Sequence, residues 1–277
     1  MLTKEYRNDL AQEQASQTKW WMEEYGFFGN FYIEGDNSSE GYFCDKKQTL
    51  EERTNCEVDG VIKLLDLTPS SLILDCPCGY GRHSIGLLER NIRVIGCDIN
   101  SVHLNKAISD AKVKRLPYDF RKQNMIDLTF CNEFDGIINM FYSFGFFDTD
   151  KENFKVLLNF YDALKPGGKF LMHTDVNMPR INMGKYKFDE DRKLASGNML
   201  RIIDVYDEQT KRIDGKWIIG DGSGRNRELE YSVRVYSKDE FESLCRHAGF
   251  SKVNAYSNWE GDEYSESAED MIIVAEK

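Results

Sequence analysis

Several features are missing from this chain, and each absence removes a class of function. There is no basic excess: 47 acidic against 36 basic residues in 277 give a net charge of −11. A protein that must hold a phosphate backbone would need a strong local basic patch, and none stands out. No apolar run is long enough to span a bilayer, since the longest, Ile137 to Phe147, is interrupted by Asn139 and Ser143. No charged-then-apolar leader opens the chain, so a cytoplasmic location is expected, with no nucleic-acid or membrane partner. Internal repeats and low-complexity tracts are missing too. The seven cysteines are odd in number and scattered, which speaks against a disulfide framework. Cys76 and Cys78 form C-x-C near Cys97, without the C-x₂₋₄-C pairs of zinc sites; they read as small buried hydrophobes, and no metal is expected.

What is present is enough apolar content, 41%, for a full core in one or two domains. The chain is organised around Ser71 to Asn100. Leu72-Ile73-Leu74 is a short apolar run ending in Asp75 and a glycine-containing turn; a second run, Ile92 to Cys97, ends in Asp98. This is one βαβ unit with an acid at the tip of each strand. Gly79 and Gly81 let the backbone pass close to a ligand, and the following helix points its free N–H groups at the same spot. A carboxylate about twenty residues after such glycines suits the vicinal hydroxyls of a ribose. The third glycine of G-x-G-x-x-G is lacking, which disfavours a nicotinamide oxidoreductase.

The order acid-x-x-x-Gly-x-Gly from Asp75 to Gly81 resembles motif I of the class I S-adenosylmethionine-dependent methyltransferases, and the resemblance covers roughly Glu51 to Lys277. Pro77 stands where that family usually has a glycine, and it brings no N–H. Asn124-Met125-Ile126-Asp127 resembles the family segment that meets adenine, with Asn124 in place of an acid; its carbonyl still accepts a hydrogen bond. The sequence SFGFF after the fourth strand and the turn LKPGGKF before the fifth resemble family forms as well.

The resemblance implies an α/β fold, a doubly wound, seven-stranded, mostly parallel sheet whose last strand runs antiparallel. Thr49 to Leu67 has the pattern of an amphipathic helix on the sheet edge, Ser101 caps the helix after the second strand, and Asp119 to Gln123 is the third strand. About sixty residues after the fifth strand depart from the plain form. Leu200 to Tyr206, Arg212 to Ile219 and Glu228 to Tyr236 read as an antiparallel β-meander inserted over 178–236, and Ser237 to Glu240 as a capping box. Residues 1–48 form a separate N-terminal part: a polar helix over Met1 to Lys19, an aromatic run WWMEEYGFFGNFY suited to a cover over a pocket, and a loop over Gly35 to Lys47; residues 49–277 form the methyltransferase domain.

The implied activity is methyl transfer from S-adenosylmethionine, giving S-adenosylhomocysteine, to an amine or hydroxyl of a small molecule by direct displacement. A binding protein without catalysis and a nucleic-acid methyltransferase are the alternatives. The expected cofactor residues are Asp75, Cys76, Gly79, Gly81, Asp98, Ile99, Asn124, Met125, Ile126, Asn139, Met140 and Phe141. Tyr25, Phe28, Phe144, Arg234 and Tyr236 are expected to face the acceptor, with a homodimer through the insertion. His173, delivered by the fifth strand to its carboxyl edge, is the candidate base, unless strand alternation turns it into the sheet face; Tyr142 is the other polar candidate. His83, His103 and His247 fall in helix turns and have ordinary structural explanations.

Overall fold

The computed structural model describes residues 20–21, 26–29, 32–36, 49–184, 186, 188–194, 196–220, 226–265 and 267–277. Met1 to Lys19, Tyr25 and the whole of 37–48 lie outside them. The sheet order is β10-β11-β5-β4-β1-β2-β3, formed by β1 (Leu72–Asp75), β2 (Arg93–Asp98), β3 (Phe120–Lys122), β4 (Phe134–Asn139), β5 (Leu164–Thr174), β10 (Lys252–Tyr256) and β11 (Met271–Glu276). β1 pairs in parallel with both β2 and β4, so the order reverses at β1, while β11 alone runs antiparallel to its neighbours. In such a sheet the crevice for a ligand opens beyond the carboxyl ends of β1 and β4.

Alternation along the strands builds two cores. Leu74, Ile95, Ile137, Phe170 and Ile273 face one way, under α5 (Asp150–Ala163) and α6 (Lys238–Ala248). Ile73, Val94, Ile138, Leu171 and Ile272 face the other, under α2 (Leu50–Leu64) and α3 (Arg82–Glu89). α2 therefore covers a face of the sheet, through Val58 and Val61, and does not sit at its edge. Three helices start with complete capping boxes: Thr49 with Glu52, Thr149 with Glu152, and Ser237 with Glu240. α4 (Ser101–Val113) is capped one residue earlier than expected, by Asn100, whose side-chain oxygen accepts from the N–H groups of Val102 and His103. At that position the chain is still extended, as an N-cap requires.

The insertion is a four-stranded antiparallel sheet in the order β6-β7-β8-β9. β7 (Met199–Asp207), β8 (Arg212–Gly220) and β9 (Asn226–Arg234) match the expected runs. β6 (Phe188–Lys193) was not anticipated, because FDEDRK has too little alternation to read as a strand; its ladder to β7 supplies what its side chains do not. The inner face of this sheet gathers Leu200, Ile202, Ile213, Trp217, Leu229 and Val233 with Phe27 of the aromatic run and Phe146 of SFGFF. Gly145 makes that junction: its φ is +108, its carbonyl accepts from the Arg234 N–H at 2.9 Å, and a Cβ there would stand 2.4 Å from the Arg234 carbonyl oxygen. A short helix, α1 (Tyr32–Asp36), follows the aromatic run and takes in Gly35, which the sequence places in a loop.

Candidate active site

Beyond the ends of β1 to β4 lies a cleft of about 1020 Å³ counted to its open mouth. Its floor is the turn after β1. Gly79 has φ +54 and a Cβ there would meet nothing within 4 Å, so the turn leaves open space against its backbone; Gly81, φ +83, is the residue from which α3 starts. A Cβ on Gly81 would stand 2.6 Å from that of Ala107, so this glycine also lets α4 pack close. The next wall comes from β2. Asp98 Oδ2 accepts from the Gly79 N–H at 2.8 Å and Oδ1 from the Asn100 N–H at 2.7 Å. Burial pushes the Asp98 carboxyl up to about 6, against the opposing pull of hydrogen bonds from Asn100, Gly79 and Ile99.

Asn124 and Met125 supply the wall after β3, and Asn124 Oδ1 also accepts from the Ile126 N–H at 3.3 Å. Ile126 is buried behind them, its carbonyl taken by the Asn159 amide at 2.8 Å. At the end of β4 two consecutive residues, Phe141 and Tyr142, have φ +53 and +58, a conformation costing about 1–3 kcal/mol each in non-glycine residues. The double turn sends the two side chains to opposite places. Phe141 lines the cleft with Met140; Tyr142 enters a second, small cavity of about 210 Å³.

Phe141 is held between charges. The Arg53 and Arg82 guanidinium carbons each lie 4.3 Å from its ring centroid, and the His83 ring stacks at 5.8 Å. All three are gathered by Glu57, fully buried, which accepts from Arg53 Nε at 2.5 Å, Arg82 Nη1 at 2.5 Å and His83 Nε2 at 2.9 Å. Burial opposes ionisation of Glu57, but Arg82 above all, with His83 and Arg53, holds its carboxyl far below the usual range. Burial, then Arg82, pushes His83 down to about 4, so its ring is neutral and donates to Glu57.

The roof is aromatic: Trp20, Trp21, Phe28 and Tyr32 line the cleft. The Phe28 carbonyl accepts from Asn100 Nδ2, and the Gly29 carbonyl from the His103 ring.

Of the residues the sequence puts forward, Gly79, Gly81, Asp98, Ile99, Asn124, Met125, Met140, Phe141 and Phe28 meet in the cleft. Asp75, Cys76, Ile126 and Asn139 lie a layer beneath. Asp75 accepts from Ser84 Oγ at 2.6 Å and burial raises it to about 7; Cys76 is in the core, and its carbonyl takes the Asn139 amide at 2.9 Å. Phe144 and Tyr236 line the second cavity with Tyr142. Arg234 lines neither of these two cavities. It donates to the Val235 carbonyl and to Glu240 at 3.1 Å and lies 4.4 Å over the Tyr236 ring, clamping the insertion to α6. His173 is turned away as well: alternation puts it on the Leu171 face, fully buried, between Phe141 and Trp259 at 5.1 and 4.9 Å. Tyr25 lies outside the described residues. Sequence reasoning passed over Arg82, His83 and His103 as cleft residues, although Arg82 and His83 directly follow the glycine turn.

The open space at Gly79, the ionisable Asp98 between two strand ends and an aromatic roof fit an adenosine-bearing ligand. Residues 73–168 match a family described as a methyltransferase domain. Over 259 residues the chain is 27% identical to a glycine/sarcosine N-methyltransferase of Halorhodospira halochloris, covering 87% of this chain and 91% of that one. A glycine/sarcosine N-methyltransferase of Aphanothece halophytica is 24% identical over 260 residues, 90% of this chain and 91% of its own. The crystal structure of an S-adenosylmethionine-dependent methyltransferase from Clostridium acetobutylicum superposes with a TM-score of 0.69 at 14% identity, over 89% of this chain and 99% of that one. The sheet is that of the Rossmann-like methyltransferase fold, and the matched segment spans its first four strands and the start of β5. These likenesses support a class I S-adenosylmethionine-dependent methyltransferase that resembles bacterial small-molecule enzymes, with S-adenosylmethionine as the methyl donor.

Proposed function

We propose that this enzyme methylates a nitrogen of a small molecule. The observation that carries this reading is the chemistry of the cleft where Met140, Phe141 and Ser143 border it: among the described residues, no strong base faces it there. His173 and Tyr142 are both turned elsewhere, and His83, the imidazole that does line this end, is pushed to about 4 and bonded to Glu57. A hydroxyl acceptor would benefit from a base in the transition state, whereas an amine needs only to arrive deprotonated. The two N-methyltransferase relatives, which span nine-tenths of their own length in the match, support the same choice.

When bound, S-adenosylmethionine supplies a methyl group on a positively charged sulfur, which leaves as a neutral thioether. The chain's part is to bind and align. Gly79 leaves the nucleoside the space a Cβ would take, and Asp98 accepts the ribose hydroxyls through the lone pairs its backbone partners leave free. Asn124 accepts from the adenine amine and Met125 packs the base. Trp20, Trp21 and Phe28 exclude water above, and Met140 and Phe141 border the acceptor's approach. Alignment of acceptor and methyl is then the main source of acceleration.

The test is release of S-adenosylhomocysteine with matched pairs of acceptors, each amine, glycine and sarcosine included, set against its hydroxyl analogue. Turnover is expected with an amine, with kcat/KM rising tenfold per pH unit below the amine's own pKa as the free base grows. Turnover of a hydroxyl compound carrying no amine would overturn the reading.

A further inference from the structure

His103 stands in the first turn of α4, on the stretch of chain that leaves β2 after Asp98. It lines the cleft, it is only 2% exposed, and its Nε2 has no hydrogen-bond partner among the described residues. The other ring nitrogen is fixed, because the Gly29 carbonyl accepts from the ring and Nε2 is unpartnered. The proton of the neutral imidazole therefore sits on Nδ1, and Nε2 keeps its lone pair. Tyr32 and Tyr80, with ring centroids at 5.8 and 6.5 Å, flank the imidazole and hold its plane. Burial pushes its pKa down to about 4, so this acceptor form persists through neutral pH.

A buried acceptor with no partner is disfavoured unless a ligand completes it. Which part of the ligand does so follows from the sheet order. β2 lies on the far side of β1 from β4, so His103 shares the nucleoside end with Asp98, while Met140, Phe141 and Ser143 border the acceptor end. Resting on the assignment of Asp98 to the ribose, we propose that His103 Nε2 accepts a hydrogen bond from one ribose hydroxyl of the cofactor, making His103 a positioning residue for the nucleoside. The arrangement also joins cofactor to cover, because the ring that meets the ribose holds the Gly29 carbonyl and neighbouring Asn100 holds that of Phe28.

Calorimetry with S-adenosylhomocysteine and its 2′-deoxy and 3′-deoxy analogues tests this on the full chain. His103→Phe keeps the bulk and removes the acceptor, and His103→Gln keeps an acceptor. His103→Phe is expected to bind S-adenosylhomocysteine about tenfold more weakly than the parent, yet to bind one deoxy analogue as well as the parent does; His103→Gln should recover part of the loss. Equal weakening toward all three ligands, or none, would reduce the ring to packing and overturn the proposal. Should His103→Phe fail to fold, the same three ligands on His103→Gln and the parent decide: a parent indifferent to both missing hydroxyls refutes it. Asp98→Ala separates this from the reading beneath it, since unchanged affinity there would remove the ribose from Asp98 itself, whereas lost affinity there with an unaffected His103→Phe sinks His103 alone.

Discussion

Tyr32 stacks on Trp217 with ring centroids 5.6 Å apart and planes 8° from parallel, so the aromatic roof of the cleft rests on a strand of the inserted sheet. Phe27 meets the same indole edge-on at 5.0 Å, and a Cβ at Gly35 would stand 2.3 Å from it. The insertion thus supports the cover from behind without lining the cleft. Trp217→Ala should cost about 3–5 kcal/mol in unfolding free energy, the usual loss for a buried indole. It should also weaken S-adenosylhomocysteine several-fold, measured by calorimetry. A destabilised variant with parental affinity would show that the cover holds itself in place.

Cofactor affinity should depend on pH through Asp98. Its carboxyl, raised to about 6 by burial, keeps its proton in the folded chain where an unfolded one has lost it, so this group takes stability away as pH rises from about 4 through 6. Binding runs the other way, because hydroxyl donors need the ionised form. The dissociation constant for S-adenosylhomocysteine should be about tenfold higher at pH 5 than at pH 7.5. Asp98→Asn should bind weakly with a flat profile, and a parent profile equally flat would contradict the role given to this carboxylate.

Glu57 is the anion on which Arg53, Arg82 and His83 converge. Glu57→Gln would leave two largely buried guanidiniums without their counter-charge, a change that costs about 3–5 kcal/mol. Phe141, no longer held between fixed cations, should lose its place in the cleft wall. The expected record in urea is a lower midpoint together with a raised KM for the acceptor. A variant as stable as the parent would mean that the cluster is held by packing alone.

Two further substitutions separate the cleft from its surroundings. His173→Gln should keep kcat within about threefold while lowering the melting temperature, since the ring packs on Trp259 and meets Asp270 at 3.4 Å outside the cleft. Tyr142→Phe removes a hydroxyl that is buried without a partner among the described residues, so stability should hold or rise by about 1 kcal/mol. A tenfold fall in kcat for Tyr142→Phe would instead put the acceptor in the second cavity.

Patterns set by neighbours in sequence were legible. The acid-tipped strands around Asp75 and Asp98, the turn at Gly79 and Gly81, the capping box at Ser237 and the alternation of β7 to β9 depend on short-range geometry, and each appears where the residues indicate. β6 was not legible, because Phe188 to Lys193 is a strand through its hydrogen bonds to β7 and not through a pattern of its own.

The direction in which a side chain leaves the site edge belonged to the tertiary structure. His173 was rightly carried by the sequence to the end of β5, but strand parity and the Trp259 packing turned it into a core. Two left-handed residues split Phe141 from Tyr142, sending neighbours in sequence to different cavities. Glu57 meets Arg82 from 25 residues away, and the Gly29 carbonyl folds back onto His103, which lines the cleft from the first turn of α4. The sequence by itself determined the sheet, its glycine turn and the acid at the end of β2, since local periodicity and backbone freedom suffice for those. Which imidazoles line the cleft was decided by the fold, because that depends on contacts between segments whose separation no local pattern encodes.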